Sequence, residues 1–573
     1  MVLTRTRNGW LRFAVPGILF SLGSCSSESI PAQLSVDDEP SAIAGQLAVS
    51  IASFDDGTSE TRYFLEQPDG AERRLHFSVE PDITPSAHLK VWGIDRADRI
   101  EVNRYKVVEG PLADDGNDLE AQPLIDATAK LSPVMCVALV NVNRGTTHST
   151  LPTIKARFHT GPASANAYYV ENSFGQMSLS GDVYGPFDYA MTTCDASGLA
   201  KAMKPLIDAR ASTKCHQYAF VMEPHVATCD WAGLAQTVGT SDKPTSDSWY
   251  NDATQCVDVV QGPGQNYGMK HSSSLTCAGG SFADDLSGCV HNEYGDAYDA
   301  MGSGCHHMNA WHKLYQKWFG GCNGVRTTSS GKFNLYPIEA PCDGVQVLQV
   351  PFPDGKTRSF QNTTLTSYYL ELRTNIGFDS EITPQVVLHA GGAPTLPTDI
   401  NAKGLHTWLI SAGSPGMTAG QSFTDPAGGL TMTVDSIDTT HAVVDINYAT
   451  EMGPPVCLDG SNTPFTPPGP ADCTNPPTIS DAAPPPEPDA SPDTGGAGSA
   501  GSGGSGGVSV DGNAGDSGNG GTAGTSPPAP DPSGDGCRCE LAQTGRSQRL
   551  PVSGLLMLGF SALLASRGRR ARG

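Results

Sequence analysis

Between Pro476 and Gly536 the chain has no lysine, arginine, aromatic residue, leucine or methionine. That absence excludes a packed core there, because a stretch of Gly, Ser, Ala, Pro and Asp cannot bury enough apolar surface to offset the entropy of ordering it. It reads as a spacer, stiff through Pro484-Pro485-Pro486 and loose through the later Gly-Ser run. Seven Asp and Glu487 give the spacer a charge of −8, a third of the −24 carried by all 573 residues. The remainder is moderately acidic and has no basic stripe able to displace phosphate counterions, which excludes nucleic acid as a partner. No phosphate-binding loop is present. The G-x-S-x-G match at Gly503–Gly507 and the Gly515-Asp516-Ser517-Gly518 segment both lie in the spacer, where nothing can orient a His or Asp toward a serine. No internal repeat of useful length occurs.

What is present at the two ends points to export. Arg5, Arg7 and Arg12 precede an apolar run from Phe13 to Leu22, which is too short to span a bilayer and reads as a secretion signal over residues 1–25. It ends in Leu22-Gly23-Ser24-Cys25, which resembles a bacterial lipobox and implies lipidation of Cys25; an ordinary cleavage site of small residues is the alternative. Residues 537–573 hold Cys537, Arg538 and Cys539, an apolar run from Pro551 to Ser566, and Arg567, Arg569, Arg570 and Arg572. This arrangement is similar to the myxobacterial carboxy-terminal sorting tail, and implies delivery to the cell surface. A plain transmembrane anchor with its basic end cytoplasmic is the other reading. Either way the membrane is a partner through the N-terminal lipid, the C-terminal tail, or both. Twelve further cysteines, from Cys136 to Cys473, lack paired C-x-x-C zinc spacing, and an even count in an exported chain predicts disulfides. Cys457 and Cys473 are isolated enough to be expected as one pair.

A chain of this length exceeds one hydrophobic core, so several folded domains are expected. Over 26–130, alternating segments such as Leu75–Val79, His88–Trp92 and Ile100–Val102, broken by Asp, Gly and Pro, predict a small propeptide-like β-domain. It contains no cysteine and so cannot mask a metal with a thiolate. Over 131–325 the pattern alternates: strand at Val134–Val142, helix at Ala165–Ser173, helix at Ser197–Arg210, strand at Tyr218–Met222. That predicts an α/β domain. Over 326–450 short strands return at Val345–Val350, Tyr368–Leu372, Val386–His389 and Ala442–Tyr448, which predicts a β-sandwich-like domain. Residues 451–536 follow as a cysteine-bearing segment and the spacer.

Residues 261–271 read Gln-Gly-Pro-Gly-Gln-Asn-Tyr-Gly-Met-Lys-His. They fit the frame of the zinc-helix motif HExxHxxGxxH, in which two His at i and i+4 share a helix face, Gly makes the turn, and a third His follows. The surroundings resemble the gametolysin-like metallopeptidase family, of the metzincin class. Tyr168–Gly175 followed by Leu179–Val183 is similar to that family's early helix and strand. Trp231–Ala235 matches the segment before the zinc helix and His271–Leu275 the stretch after it. Glu293–Asp296 with Asp299–Gly304 looks like its Met-turn, centred on Met301, and His307–Lys313 resembles the helix that follows. The resemblance runs from about Ser132 to Gly321 and more loosely to Tyr448.

It implies an α/β metzincin-like catalytic domain flanked by an N-terminal β-domain and a C-terminal β-sandwich-like domain, with zinc as the cofactor. His271 takes the third-ligand position. Gln261 and Gln265 replace the first two histidines, Gly262 occupies the general-base position, and Pro263 enters the helix, where it is expected to bend or unwind it. Losing the general base alone removes about 10² to 10⁴ in rate, and neutral amides suit zinc poorly beside imidazole. A rebuilt site would have to draw on His291, His306, His307 or His312 and on Asp284, Asp285 or Glu293. Three functions fit: a catalytically impaired homologue that binds extracellular protein or matrix, an active metalloendopeptidase with a non-standard metal site, or a structural surface module.

Overall fold

The computed structural model describes residues 42–473, apart from 82, 84, 109–131, 238–245, 279–281, 361–362, 394–406 and 411–415. Cys25, Cys537, Cys539 and the Pro551–Ser566 run lie outside the described residues. Within them, no helix is long and apolar enough to cross a membrane.

The first ten strands form one sheet. They are β1 (Ile43–Ser53), β2 (Ser59–Glu66), β3 (Glu72–Phe77), β4 (His88–Asp95), β5 (Ile100–Val108), β6 (Met135–Val142), β7 (Val183–Tyr189), β8 (Gln217–Glu223), β9 (Gly233–Gln236) and β10 (Ser246–Asn251). Their spatial order is β2-β3-β5-β4-β1-β9-β10-β8-β6-β7, and β1 also pairs with β2. That second pairing closes β1 to β5 into a small barrel around Leu47, Leu65, Leu75, Leu89, Val91 and Ile100. The alternating apolar residues of this segment thus face a core of their own, as the period-2 pattern requires.

The barrel does not own its sheet. β1 is eleven residues long; Ile43–Gln46 pair with β4, and Ser50–Ser53 pair antiparallel with Gln236–Gly233 of β9. Hydrogen bonds therefore cross the expected boundary at residue 130. Strand periodicity reports which face of β1 is apolar and says nothing about which strand lies beside it.

β6, β7, β8 and β10 run parallel, and β6, β8 and β10 are buried along almost their whole length. Both faces are covered, as parallel strands demand. α1 (Leu151–Lys155), α2 (Ala165–Asn172) and α4 (Cys256–Asn266) pack one face through Ile154, Tyr168, Tyr169, Val259 and Val260. α3 (Ala196–Asp208) packs the other through Leu199, Met203 and Ile207. A further helix, α5 (Ala310–Tyr315), leads into the β-rich region that follows.

There, Val290–Asn292, Ser272–Thr276, Thr407–Ile410, Gln385–Gly391, Ser367–Arg373, Val347–Pro351, Gly324–Arg326 and Val456–Cys457 form a second sheet in that order. Gly331–Leu335, Ala442–Tyr448, Leu430–Ile437 and Ser422–Thr424 form a third. One apolar core containing Phe333, Leu348, Leu370, Leu388, Met432 and Val444 joins the two. The second sheet begins with the strand that directly follows His271, so the expected boundary at 325 is also bridged by strand pairing.

All twelve cysteines between 136 and 473 pair: 136–215, 194–229, 256–305, 277–289, 322–457 and 342–473. The expected Cys457–Cys473 pair does not form. Cys457 lies on a strand whose partner is Val325, which sets its sulfur beside Cys322. The chain then continues far enough for Cys473 to reach Cys342.

Candidate functional site

α4 starts at a capping interaction in which the Gln255 N–H donates to Asp258 Oδ2 at 2.8 Å. It runs through Gly262, Pro263 and Gly264 without unwinding, contrary to the propensity-based expectation. Packing supplies the reason: Val259, Val260 and everything from Gly262 to Asn266 are buried, and the Tyr169 hydroxyl donates to the Val260 carbonyl at 2.8 Å. Tertiary burial outweighs a local penalty of about 3 kcal/mol. The two glycines also fit closely against their neighbours. A Cβ at 262 would run into the Tyr250 hydroxyl, and one at 264 into the Met301 sulfur.

The helix ends in a left-handed turn at Gly268 (φ +82°), where the Met269 N–H returns to the Gly264 carbonyl at 3.0 Å. Three residues later His271 is almost fully buried, and the next N–H, of Ser272, donates to the Met301 carbonyl at 2.9 Å. The structure thus brings Gln261, Gly262, Gln265, His271 and Met301 together. Gln261 and Gln265, one turn apart, line a cavity of about 50 Å³ with Ser53, Ala235, Tyr250 and Asp258.

The geometry around His271 decides what this cluster can hold. His271 Nδ1 lies 2.8 Å from Glu293 Oε1, and its Nε2 lies 2.7 Å from Gln265 Nε2. The carboxylate accepts, so Nδ1 carries the proton and Nε2 offers a lone pair, which is the tautomer of a metal-bound histidine with a carboxylate behind it. The Gln265 amide N–H takes the position of the cation. Gln261 turns its own amide N–H to the Gly302 carbonyl at 2.7 Å. One imidazole engaged on both nitrogens and two neutral amides do not fit a zinc ion. Among the described residues, the clusters of three metal-ligating side chains are His148/Glu223/Asp252 and the disulfide-bonded Cys342/Asp343/Cys473, and neither includes His271.

The histidines expected to rebuild a site are dispersed. His291 Nε2 lies 3.5 Å from the other oxygen of Glu293, and burial lowers its pKa more than that carboxylate raises it. His306 lies against Asp379, His307 against Glu171 and His312 against Asp299. Asp284 faces Arg358, and Asp285 caps a short turn at Ser287. Sequence reasoning missed Tyr250, which faces Gly262, and Tyr294, whose ring centroid is 4.4 Å from that of His271. It also missed the barrel's reach, since Ser59 Oγ donates to Glu293 Oε1 at 2.7 Å. No spacing rule connects residue 59 to residue 293.

His307 is the pH-sensitive member of this region. It is completely buried, donates Nε2–H to Glu171 (2.7 Å) and accepts from Lys313 Nζ at Nδ1 (3.1 Å). Burial, then the Lys313 charge, push its pKa down to about 4. A histidine held neutral contributes stability above its unfolded pKa of about 6.5, lost as pH falls toward 4, here up to about 3 kcal/mol. His306, raised by Asp379, and His389, raised by Asp296 and Glu371 against its burial, act in the opposite sense. The contribution is therefore read as a difference. Denaturant unfolding of the wild type and of His307→Gln should give stabilities that converge by about 3 kcal/mol between pH 6.5 and 4.

The model of the gametolysin peptidase M11 family matches residues 177–393. That span holds α4, His271, the Met301 turn and much of the second sheet, and the segment is metallopeptidase-like. The family that this model describes is zinc-dependent, a requirement that the donor set at His271 does not meet. No curated protein matches the chain.

Proposed function

We propose that this chain is an exported homologue of gametolysin-like zinc metalloendopeptidases that does not cut peptide bonds and acts by binding extracellular protein or matrix. The observation that carries the reading is the Gln265 amide N–H lodged against the lone pair of His271. The Tyr250 hydroxyl supports it, since it fills the space a general-base side chain at 262 would need. β1 also occupies the free edge of β9 beside α4, where an extended peptide would otherwise add as a strand.

Binding then falls to another surface. A groove of about 890 Å³ runs between the barrel and α3, with Arg74, Lys201 and Lys204 on its walls among Glu66, Glu72 and Asp195. Such mixed charge suits a polar protein surface better than an apolar ligand. Six disulfides suit an extracellular setting, and the lipobox and sorting-tail resemblances would hold the chain at the envelope.

The test uses the full exported chain. Incubated with denatured casein at neutral pH, it should give no cleavage that o-phenanthroline abolishes; chelator-sensitive cleavage overturns the reading. Immobilised, it should retain components of an extracellular matrix extract, and Arg74→Glu with Lys201→Glu should reduce that retention at least about tenfold. Retention unaffected by the pair of changes removes the groove as the binding surface.

A further inference from the structure

A second group of metal-ligating side chains lies outside the His271 cluster. His148 follows β6, Glu223 ends β8 and Asp252 follows β10. These three strands are parallel neighbours, in the order β10-β8-β6. Their carboxyl ends therefore place one ligand each at the sheet edge where open parallel sheets take up ligands. Glu223 is fully buried. Its Oε2 accepts the N–H groups of His148 (3.0 Å) and Ser149 (2.8 Å), while its Oε1 has no hydrogen-bond partner. That bare oxygen points at His148 Nε2, 3.5 Å away, and Nε2 lies 2.8 Å from Asp252 Oδ1. All three ligand atoms lie within 4.8 Å of one another.

A buried carboxylate oxygen left without a donor is unfavourable unless a cation satisfies it. Ligand atoms bound to one ion at about 2.0–2.2 Å stand roughly 3–3.5 Å apart, and the two distances from His148 Nε2, 3.5 and 2.8 Å, lie near that range. We infer that His148, Glu223 and Asp252 form a binding site for a divalent transition-metal ion of the zinc type. One imidazole nitrogen with two carboxylate oxygens selects such an ion over calcium, which takes six to eight oxygens. His148 and Asp252 are partly exposed, so the fourth position opens to water. The ion joins the ends of three adjacent strands and neutralises two carboxylates at once.

The inference is independent of the proposal for His271, and the experiment keeps the two apart. The chelator-treated full chain is titrated calorimetrically with zinc alone, beside His148→Ala, Asp252→Asn and His271→Ala, with the melting temperature followed in each. Asp252 has φ +64°, a conformation Asn adopts as readily as Asp, so the Asn variant keeps the fold if the alanine variant does not. The expected result is one zinc per chain in the wild type and in His271→Ala, with affinity lowered on the order of 100-fold or more in His148→Ala and Asp252→Asn. Zinc should raise the melting temperature only where it binds. No binding by the wild type, or undiminished binding by Asp252→Asn, overturns the inference. Binding lost only in His271→Ala overturns it together with the reading of the His271 site.

Discussion

With Cys322, Cys457, Cys342 and Cys473 all replaced by alanine, the chain should lose about 9 kcal/mol and fail to fold at 37 °C. Each bridge closes a long loop, with sequence separations of 135 and 131, worth about 5 kcal/mol alone in the chain-entropy model. The loops overlap, however. While Cys342–Cys473 stays closed, the unfolded chain between Cys322 and Cys457 is already short-circuited. Opening the second bridge then frees a loop of roughly 36 residues, for about 4 kcal/mol. Either pair removed by itself should cost about 4 kcal/mol in denaturant unfolding, and both together somewhat more than twice that. A pair whose removal costs under about 1 kcal/mol would show that the segment 456–473 is held to the sheets by strand pairing and packing instead. Replacing both partners of a bridge avoids a free thiol that could exchange with the other five.

Much of the fold was legible because it rests on local pattern. α2 and α3 lie within two residues of their expected bounds, as do β6 and β8. The strands of the second and third sheets at Val347–Pro351, Ser367–Arg373, Gln385–Gly391 and Ala442–Tyr448 fall where apolar runs predicted them. Illegible were the pairings that local pattern does not encode. β1 offers the same alternation to β2, β4 and β9, and only three-dimensional closure shows that it takes all three. Pro263 read as a helix breaker because propensity ignores the burial that holds α4 in shape.

The site divides along the same line. The spacing of Gln261, Gly268 and His271 predicted the helix and the turn, since an i, i+4, i+7, i+10 frame is itself local. The meaning of Gln265 depended on where its amide points, which sequence does not state. Likewise His148, Glu223 and Asp252 are separated by 75 and 29 residues, with no motif to link them, and only the parallel order of β6, β8 and β10 brings them together.

A single change at Arg373 should destabilise the protein by about 3–5 kcal/mol. Arg373 is fully buried where the second sheet meets the segment between the Met301 turn and α5. Its Nε donates to Glu371 (2.7 Å), and its Nη1 donates to Asp379 and to the His307 carbonyl, both at 2.8 Å. Those carboxylates have other duties: Glu371 accepts the Ala310 N–H at the start of α5, and Asp379 accepts the His307 N–H. Replacing Arg373 with Met keeps most of the side-chain volume, so little of the loss comes from a cavity. What remains is two buried carboxylates that have lost the guanidinium they shared, the costly half of a broken ion pair. A lysine restores the charge without the planar fork that reaches both acids, and should recover less than half of the loss. Adding Glu371→Gln and Asp379→Asn to Arg373→Met should recover stability, because all three charges then leave together. Denaturant unfolding of the single and triple variants measures both. A triple variant no more stable than the single one would show that geometry, rather than charge pairing, makes this arginine necessary.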